Sequence, residues 1–285
     1  REIGSFDGCS SLENIYIGDS VETVGSLNEC TNLKTLYLGE KVKIGDDWTD
    51  YIGRCPNLEK ISVSEKNPYY IVQDDCLYSK DGKILLLVPK NKQGTLEVCD
   101  GVQTVLDFAM ADCNRLEKII LPDSVTEIKQ YAFSDCQNLK QLIFGSNIKA
   151  IGENIIQNTA YYSDKKNWEN GILYVGQYVI RSYNSSYECK VKEGTRVIAP
   201  FAFSETKSTK VILPDSVQYI GLYAFADSSN LKFVKLGNGI KEINETAFSG
   251  SPKLWSMVIP PTIEKSITGL ENVKYISLGK VIPTY

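Results

Sequence analysis

The 285-residue chain contains no histidine. That absence excludes Ser-His-Asp and Cys-His catalysis, histidine-ligated zinc and a histidine proton switch within this chain. Basic charge is not in excess either: the formal net charge is -4 and the pI about 5.2, so composition points neither to nucleic acid nor to anionic lipid. Long apolar runs are missing. The longest, Ile84 to Pro89, suits a buried strand, and none approaches the roughly 18 residues of a membrane helix. Walker and dinucleotide glycine patterns are also lacking. What remains for chemistry is carboxylates, lysines and tyrosines, a poor set for an enzyme. Disorder is excluded in turn, because hydrophobic residues make up 42% and are spread from end to end. The chain starts at Arg1, with Ile3-Gly4 already inside a repeat. It reads as a trimmed or mature piece, so a missing signal segment says nothing about location.

What is present is internal repetition. Leu12-Glu-Asn-Ile15-Tyr-Ile17 recurs from Leu33, Leu58, Leu116, Leu139, Leu231 and Leu254, and in weaker form at Ser208 to Leu213 and Val273 to Leu278. These nine L-x-x-L-x-L segments are mostly 21 to 25 residues apart, the spacing of leucine-rich repeats. The last two apolar positions differ by two, so both face one side of a short strand. One such unit cannot bury its own apolar face, but stacked units can. In phase with each strand run a second short apolar pair (Val21-x-x-Val24, Val125-x-x-Ile128, Val217-x-x-Ile220, Ile240-x-x-Ile243) and an aromatic corner at Phe133, Phe225 and Phe248. Leu-Pro-Asp-Ser-Val at 121–125 recurs at 213–217 as a turn. Little α-helix is expected.

The phrase from Leu121 through Ile128, Phe133, Cys136 and Leu139 to Phe144 resembles the BspA-like (treponemal-type) leucine-rich repeats, over nearly the whole chain. Departures are Lys129, where glycine is usual, and Ser228 and Gly250, read as replacing the repeat cysteine. The resemblance implies a mostly β solenoid, a right-handed leucine-rich-repeat superhelix with short parallel strands, spanning residues 1–285 as one domain. It also implies an extracellular or bacterial cell-surface setting, with adhesion to a protein ligand such as a host matrix or cell-surface protein. No cofactor, nucleic acid or membrane span is expected in this chain. Two other readings stay open: a structural spacer within a larger surface protein, and a glycan-binding module or enzyme with a pocket at a long repeat.

The period breaks at 64–98 and 160–191. Each long repeat reads as two strands joined by a tight turn, Lys80-Asp-Gly-Lys83 and Val175-Gly-Gln177. Such hairpins either continue the stack in line or project to shape a binding surface.

Cys9, Cys30, Cys55, Cys113 and Cys136 all stand three residues before the first leucine of a strand. Equivalent positions in a stack predict buried free thiols in the core rather than disulfides. Cys76, Cys99 and Cys189 fall at apolar strand positions in or beside the long repeats. Asp46, Asp47 and Asp50 cluster, as do Asp74 and Asp75. The first group is a weak calcium candidate whose spacing matches no EF-hand loop. Asn184-Ser-Ser and Asn244-Glu-Thr are formal glycosylation sequons. Trp48, Trp168 and Trp255 read as packing residues at irregular corners or near the C-terminal end.

If the L-x-x-L-x-L strands line a concave surface, the residues flanking the inward pair point outward. They include Tyr16 and Tyr37, which should stack, Lys60, Lys118, and Ile120 with Ile143. They continue with Lys210, Ile212, Phe233, Lys235, Ser256, Val258 and Tyr275. Tyr, Ile and Lys on one face have the make-up of a protein-binding surface, although such residues are also good strand formers.

Overall fold

The computed structural model describes residues 1–44, 52, 55–260 and 273–278. It falls into two compact units, Arg1–Asn147 with Asn154–Ser163, and Ile148–Glu153 with Asp164–Tyr285. Both are built alike: a β-solenoid in which successive coils each give a strand to two parallel sheets.

The first sheet carries the repeat strands. In the first unit Asn14–Ile17, Thr35–Leu38 and Lys60–Val63 pair in parallel, and Gly94–Glu97, Leu116–Ile120 and Gln141–Ile143 form a separate run. In the second unit the run is Glu188–Lys190, Lys210–Ile212, Phe233–Lys235, Ser256–Ile259 and Tyr275–Leu278. All nine anticipated segments are strands. Two more strands, Gly94–Glu97 and Glu188–Lys190, depart from the motif, since Gln93 and Ser186 stand where its first leucine would. The alternation explains the packing: Leu36 and Leu38 are buried, while Thr35 and Tyr37 between them look outward.

The second sheet is made of two-residue strands. Glu2–Ile3, Thr23–Val24 and Lys43–Ile44 form one run, Thr104–Val105 and Glu127–Ile128 pair next to each other, and Val197–Ile198, Tyr219–Ile220 and Glu242–Ile243 form another. Among the described residues helix is scarce: a four-residue α-turn at Ala160–Ser163, a 3-10 turn at Lys165–Asn167 and the single helical residue Ile52.

After Tyr178, the corner phenylalanines are the largest fully buried side chains. Phe203, Phe225 and Phe248 are fully buried and stack ring on ring, with centroids 5.1 Å apart at both steps. Burial of each ring is worth about 1.5–3 kcal/mol. Coils also approach so closely that some turns exclude a side chain. A Cβ on Gly39 would lie 2.6 Å from the carbonyl carbon of Gly18 in the coil before.

Among the described residues, a left-handed residue stands just before the cysteine slot. Asp112, Asp135, Glu205, Asp227 and Gly250 have φ of 59°, 61°, 56°, 53° and 70°. This corrects the alignment at one point. Gly250 fills the left-handed slot, where glycine is at ease, and Ser251 stands in the cysteine slot. The slot has a defined chemistry. The thiol of Cys136 donates to Met110 O at 3.0 Å and that of Cys55 to Leu27 O at 3.2 Å. Ser228 Oγ donates to Phe203 O at 3.1 Å and Ser251 Oγ to Phe225 O at 2.8 Å. Cysteine and serine interchange because each brings one small donor to a carbonyl of the previous coil.

All eight cysteines are free thiols, and Cys30, Cys55, Cys113 and Cys136 are buried as expected. Cys9 is not: it is exposed. Cys76 and Cys189 are buried in strands. Cys99 lies past the end of its strand, half-buried, with its sulfur 3.8 Å from Asp74 Oδ2 and 3.7 Å from the Tyr78 hydroxyl.

Each long repeat holds three antiparallel strands rather than two. These are Tyr70–Gln73, Cys76–Ser79 and Ile84–Leu87 in the first unit, and Trp168–Glu169, Ile172–Val175 and Tyr178–Ser182 in the second. The last strand of each set pairs in parallel with the next coil, at Thr104–Val105 and Val197–Ile198. The insertions therefore extend the second sheet edge to edge. Tyr70 also joins its insertion to the coil before, since its hydroxyl accepts from Ile44 N at 2.9 Å.

Candidate binding face

The outward side of the first sheet gathers the residues singled out in the sequence. In the first unit Tyr16 and Tyr37 stand in register on neighbouring strands and stack in parallel, with centroids 4.3 Å apart. Tyr16 is 70% exposed, unusual for a ring that could have packed. The Tyr37 hydroxyl beside it holds the Tyr16 phenol above its ordinary pKa range. Asn14 and Thr35 form the adjacent column, with Thr35 Oγ1 donating to Asn14 Oδ1 at 2.6 Å. Together with Lys60 and Ser62 these residues line an open depression of about 350 Å³.

The strip is interrupted beyond Lys60–Val63. Lys118, Ile120 and Ile143 share an outward face and register, with Ile143 49% exposed, but they belong to the other three-stranded run. The break falls at the first long repeat, whose three antiparallel strands join the second sheet.

In the second unit Lys210, Ile212, Phe233 and Lys235 occupy one outward patch. The Lys210 ammonium lies 5.4 Å from the Phe233 ring centroid, within cation–π range. Glu188 in the coil before receives Lys210 at 2.7 Å and Lys190 at 3.0 Å. Those two ammonium groups, Lys210 first, hold the Glu188 carboxyl below its usual range. Tyr275 stands in register with Ser256. Ser256 and Val258, expected on the outward face, are buried instead. They are short side chains in register with the longer Phe233 and Lys235.

Two exposed rings at this face escaped the sequence reading, Tyr187 at 75% and Trp255 at 41%. Each stands one residue ahead of a strand, a position the L-x-x-L-x-L template treats as unspecified. Trp255 is thus partly open to solvent, whereas Trp168 stacks on Tyr183 with centroids 5.3 Å apart.

The other candidates fare differently. Asp46, Asp47, Asp50 and Trp48 lie outside the described residues. Asp74 and Asp75 form a left-handed turn, with Lys92 Nζ donating to Asp74 O at 2.6 Å. Among the described residues no group of three or more acidic or cysteine side chains is placed to hold a metal ion. Asn184 is buried, donating to Asn170 O at 2.7 Å and accepting from Ser208 Oγ at 3.0 Å, which leaves its sequon closed. A second depression, about 320 Å³ within the second unit, is lined by Tyr219, Ile198 and Asn244 with one carboxylate, Glu242. No described helix is long and apolar enough to cross a membrane.

Compared with known proteins, the chain matches the model of the BspA type leucine rich repeat region in six copies, over residues 2–81, 103–213 and 196–269. Among solved structures it is similar to a leucine-rich repeat protein from Eubacterium ventriosum, at 21% identity over 95% of this chain and 86% of that one, TM-score 0.49. It is also similar to a leucine rich cell surface protein from Faecalibacterium prausnitzii, at 19% identity over 98% and 83% of the two chains, TM-score 0.36. A third is the pneumococcal vaccine antigen PcpA, at 18% identity over 95% and 69%, TM-score 0.44. None of the curated proteins matches the chain.

Proposed function

This chain belongs to the family of BspA type leucine-rich repeat proteins, and from that premise we propose that it is a non-catalytic module that binds a protein ligand outside the cell or at a bacterial surface. The ligand docks on the outward face of Asn14–Ile17, Thr35–Leu38 and Lys60–Val63. One observation carries the reading: the stacked pair Tyr16 and Tyr37 stands on a rigid sheet with Tyr16 70% exposed. Exposed aromatic side chains on a pre-formed surface supply large contact area at little entropic cost, and tyrosine is enriched among residues that dominate interfaces. Asn14, Thr35, Lys60 and Ser62 around it form a polar rim.

The test is a pull-down of matrix and cell-surface proteins by the folded chain, beside the double variant Tyr16→Ala with Tyr37→Ala. Saturable binding should weaken by about 30-fold in the variant, the effect of losing one strong interface anchor, with circular dichroism unchanged. Binding that is indifferent to the substitution moves the site elsewhere. No binding to any partner favours a spacer role.

A further inference from the structure

The chain as a whole is acidic, with a net charge of -4, yet one face of the second unit is cationic. Lys190, Lys210, Lys232, Lys235 and Lys274 stand at outward strand positions, or one residue ahead of them, on four of the five strands from Glu188–Lys190 to Tyr275–Leu278. Among the described residues Glu188 is the one carboxylate at those positions, and Lys190 and Lys210 share it. The equivalent positions of the first unit are balanced. There Lys34 pairs with Glu13 at 3.0 Å and Lys140 with Glu117 at 4.0 Å, while Glu59 and Glu97 offset Lys60 and Lys118. The surplus is therefore a property of this face and not of the repeat.

The same face carries planar rings. Tyr187 and Trp255 occupy the position before their strands, three rungs apart, with Lys232 between them and Lys274 on the next rung. At the usual strand spacing of about 4.8 Å the two rings are roughly 14 Å apart. Phe233 lies half-buried beneath the Lys210 ammonium.

We propose that this face binds an anionic polysaccharide, whose carboxylate or sulfate groups meet the lysines and whose sugar rings lie on Tyr187 and Trp255. Charge complementarity requires a polyanion. The composition argues against a folded acidic protein, because lysine is depleted at protein interfaces and their centres are apolar; here lysines hold the middle of the patch. The periodicity argues for a polymer. Equivalent positions recur at each rung, about every 4.8 Å, close to the length of one sugar unit, so a repeating ligand meets a repeating surface in phase. The apolar faces of pyranose rings suit solvent-exposed aromatic rings. This site is separate from the Tyr16 and Tyr37 pair and stands or falls independently of it.

The test uses the full chain against heparin, polygalacturonate and neutral dextran, with poly-glutamate and a single-stranded oligonucleotide as competing polyanions, at low and high salt. Heparin binding with weak polygalacturonate binding identifies sulfate as the recognised group; comparable binding of both identifies anionic sugars in general. Either supports the proposal if affinity falls with salt and dextran stays unbound. Lys232→Gln with Lys235→Gln and Lys274→Gln should weaken binding roughly tenfold. Tyr187→Ala with Trp255→Ala should weaken it by about as much, and Tyr16→Ala with Tyr37→Ala should leave it unchanged. These side chains are exposed or half-exposed, so circular dichroism should not move, and the lysine set still tests the face if the aromatic pair disturbs packing. No polysaccharide binding at low salt overturns the proposal. So does equal affinity for poly-glutamate or the oligonucleotide, or heparin binding that ignores the aromatic substitutions.

Discussion

Cys136 offers the sharpest test of how the coils are held together. Its side chain is fully buried and its thiol donates to Met110 O at 3.0 Å, one coil earlier. Serine makes the same bond at two later slots, from Ser228 to Phe203 O at 3.1 Å and from Ser251 to Phe225 O at 2.8 Å. The slot is thus a donor position and not a purely apolar one. Cys136→Ala removes both the donor and the buried sulfur, a loss of about 1–2 kcal/mol. Cys136→Ser gives up the apolar sulfur but keeps a donor aimed at the carbonyl, so it should be more stable than the alanine variant by about 1 kcal/mol. In an apolar slot the order reverses, since an unpartnered buried hydroxyl costs about 1–3 kcal/mol. Urea midpoints of the three proteins at unchanged m decide the matter. An alanine variant at least as stable as the serine variant refutes the reasoning.

Phe225→Ala should cost about 3–5 kcal/mol, because it empties the middle of the Phe203, Phe225 and Phe248 stack; a drop under 1 kcal/mol in the same urea assay would mean the corner is not close-packed. Gly39→Ala should destabilise by about 1–3 kcal/mol, as its Cβ would press on the backbone of Gly18 and Asp19, whereas Gly4→Ala, with open space around it, should be silent in a thermal melt. Iodoacetamide at mildly alkaline pH should label Cys9 fast and Cys99 slowly in the native chain, as judged by peptide mass spectrometry, with the six buried thiols protected until urea is added. Burial pushes the Cys55 and Cys189 thiols up to about 11, and the Cys76 thiol and Tyr174 phenol up to about 12. The folded state holds those protons more tightly than the unfolded chain, so their stabilising effect is complete below about pH 9 and fades as pH rises towards 12. A urea midpoint that stays flat across that window would contradict the burial of these groups.

Much of the fold was legible because periodicity reports side-chain direction within one coil. Leu33, Leu36 and Leu38 announce a buried edge and a two-residue alternation, and the strand at Thr35–Leu38 follows. The candidate face was legible for the same reason, since Tyr16 and Tyr37 sit between inward positions at equal places in two repeats. The misses have physical causes. Gly94–Glu97 and Glu188–Lys190 lack the leading leucine, and only the pairs Leu96 with Val98 and Cys189 with Val191 betrayed them. Gly250 belongs one place earlier because the left-handed residue before the slot is a backbone feature that the missing cysteine does not reveal.

The amino-acid sequence by itself determined the coil: where its strands lie, which side chains turn inward and where its Pro-Asp turn falls. These depend on local alternation and on residue chemistry within about 23 residues. Only the tertiary structure decided what one coil does to the next. Stacking hydrogen bonds set the register that brings Phe233 beside Lys210 and Trp255 beside Lys232, and put the Cys136 thiol under Met110 O, while the outward strip breaks after Lys60–Val63. Surface charge and shape are sums over neighbouring rungs, and no single repeat contains them.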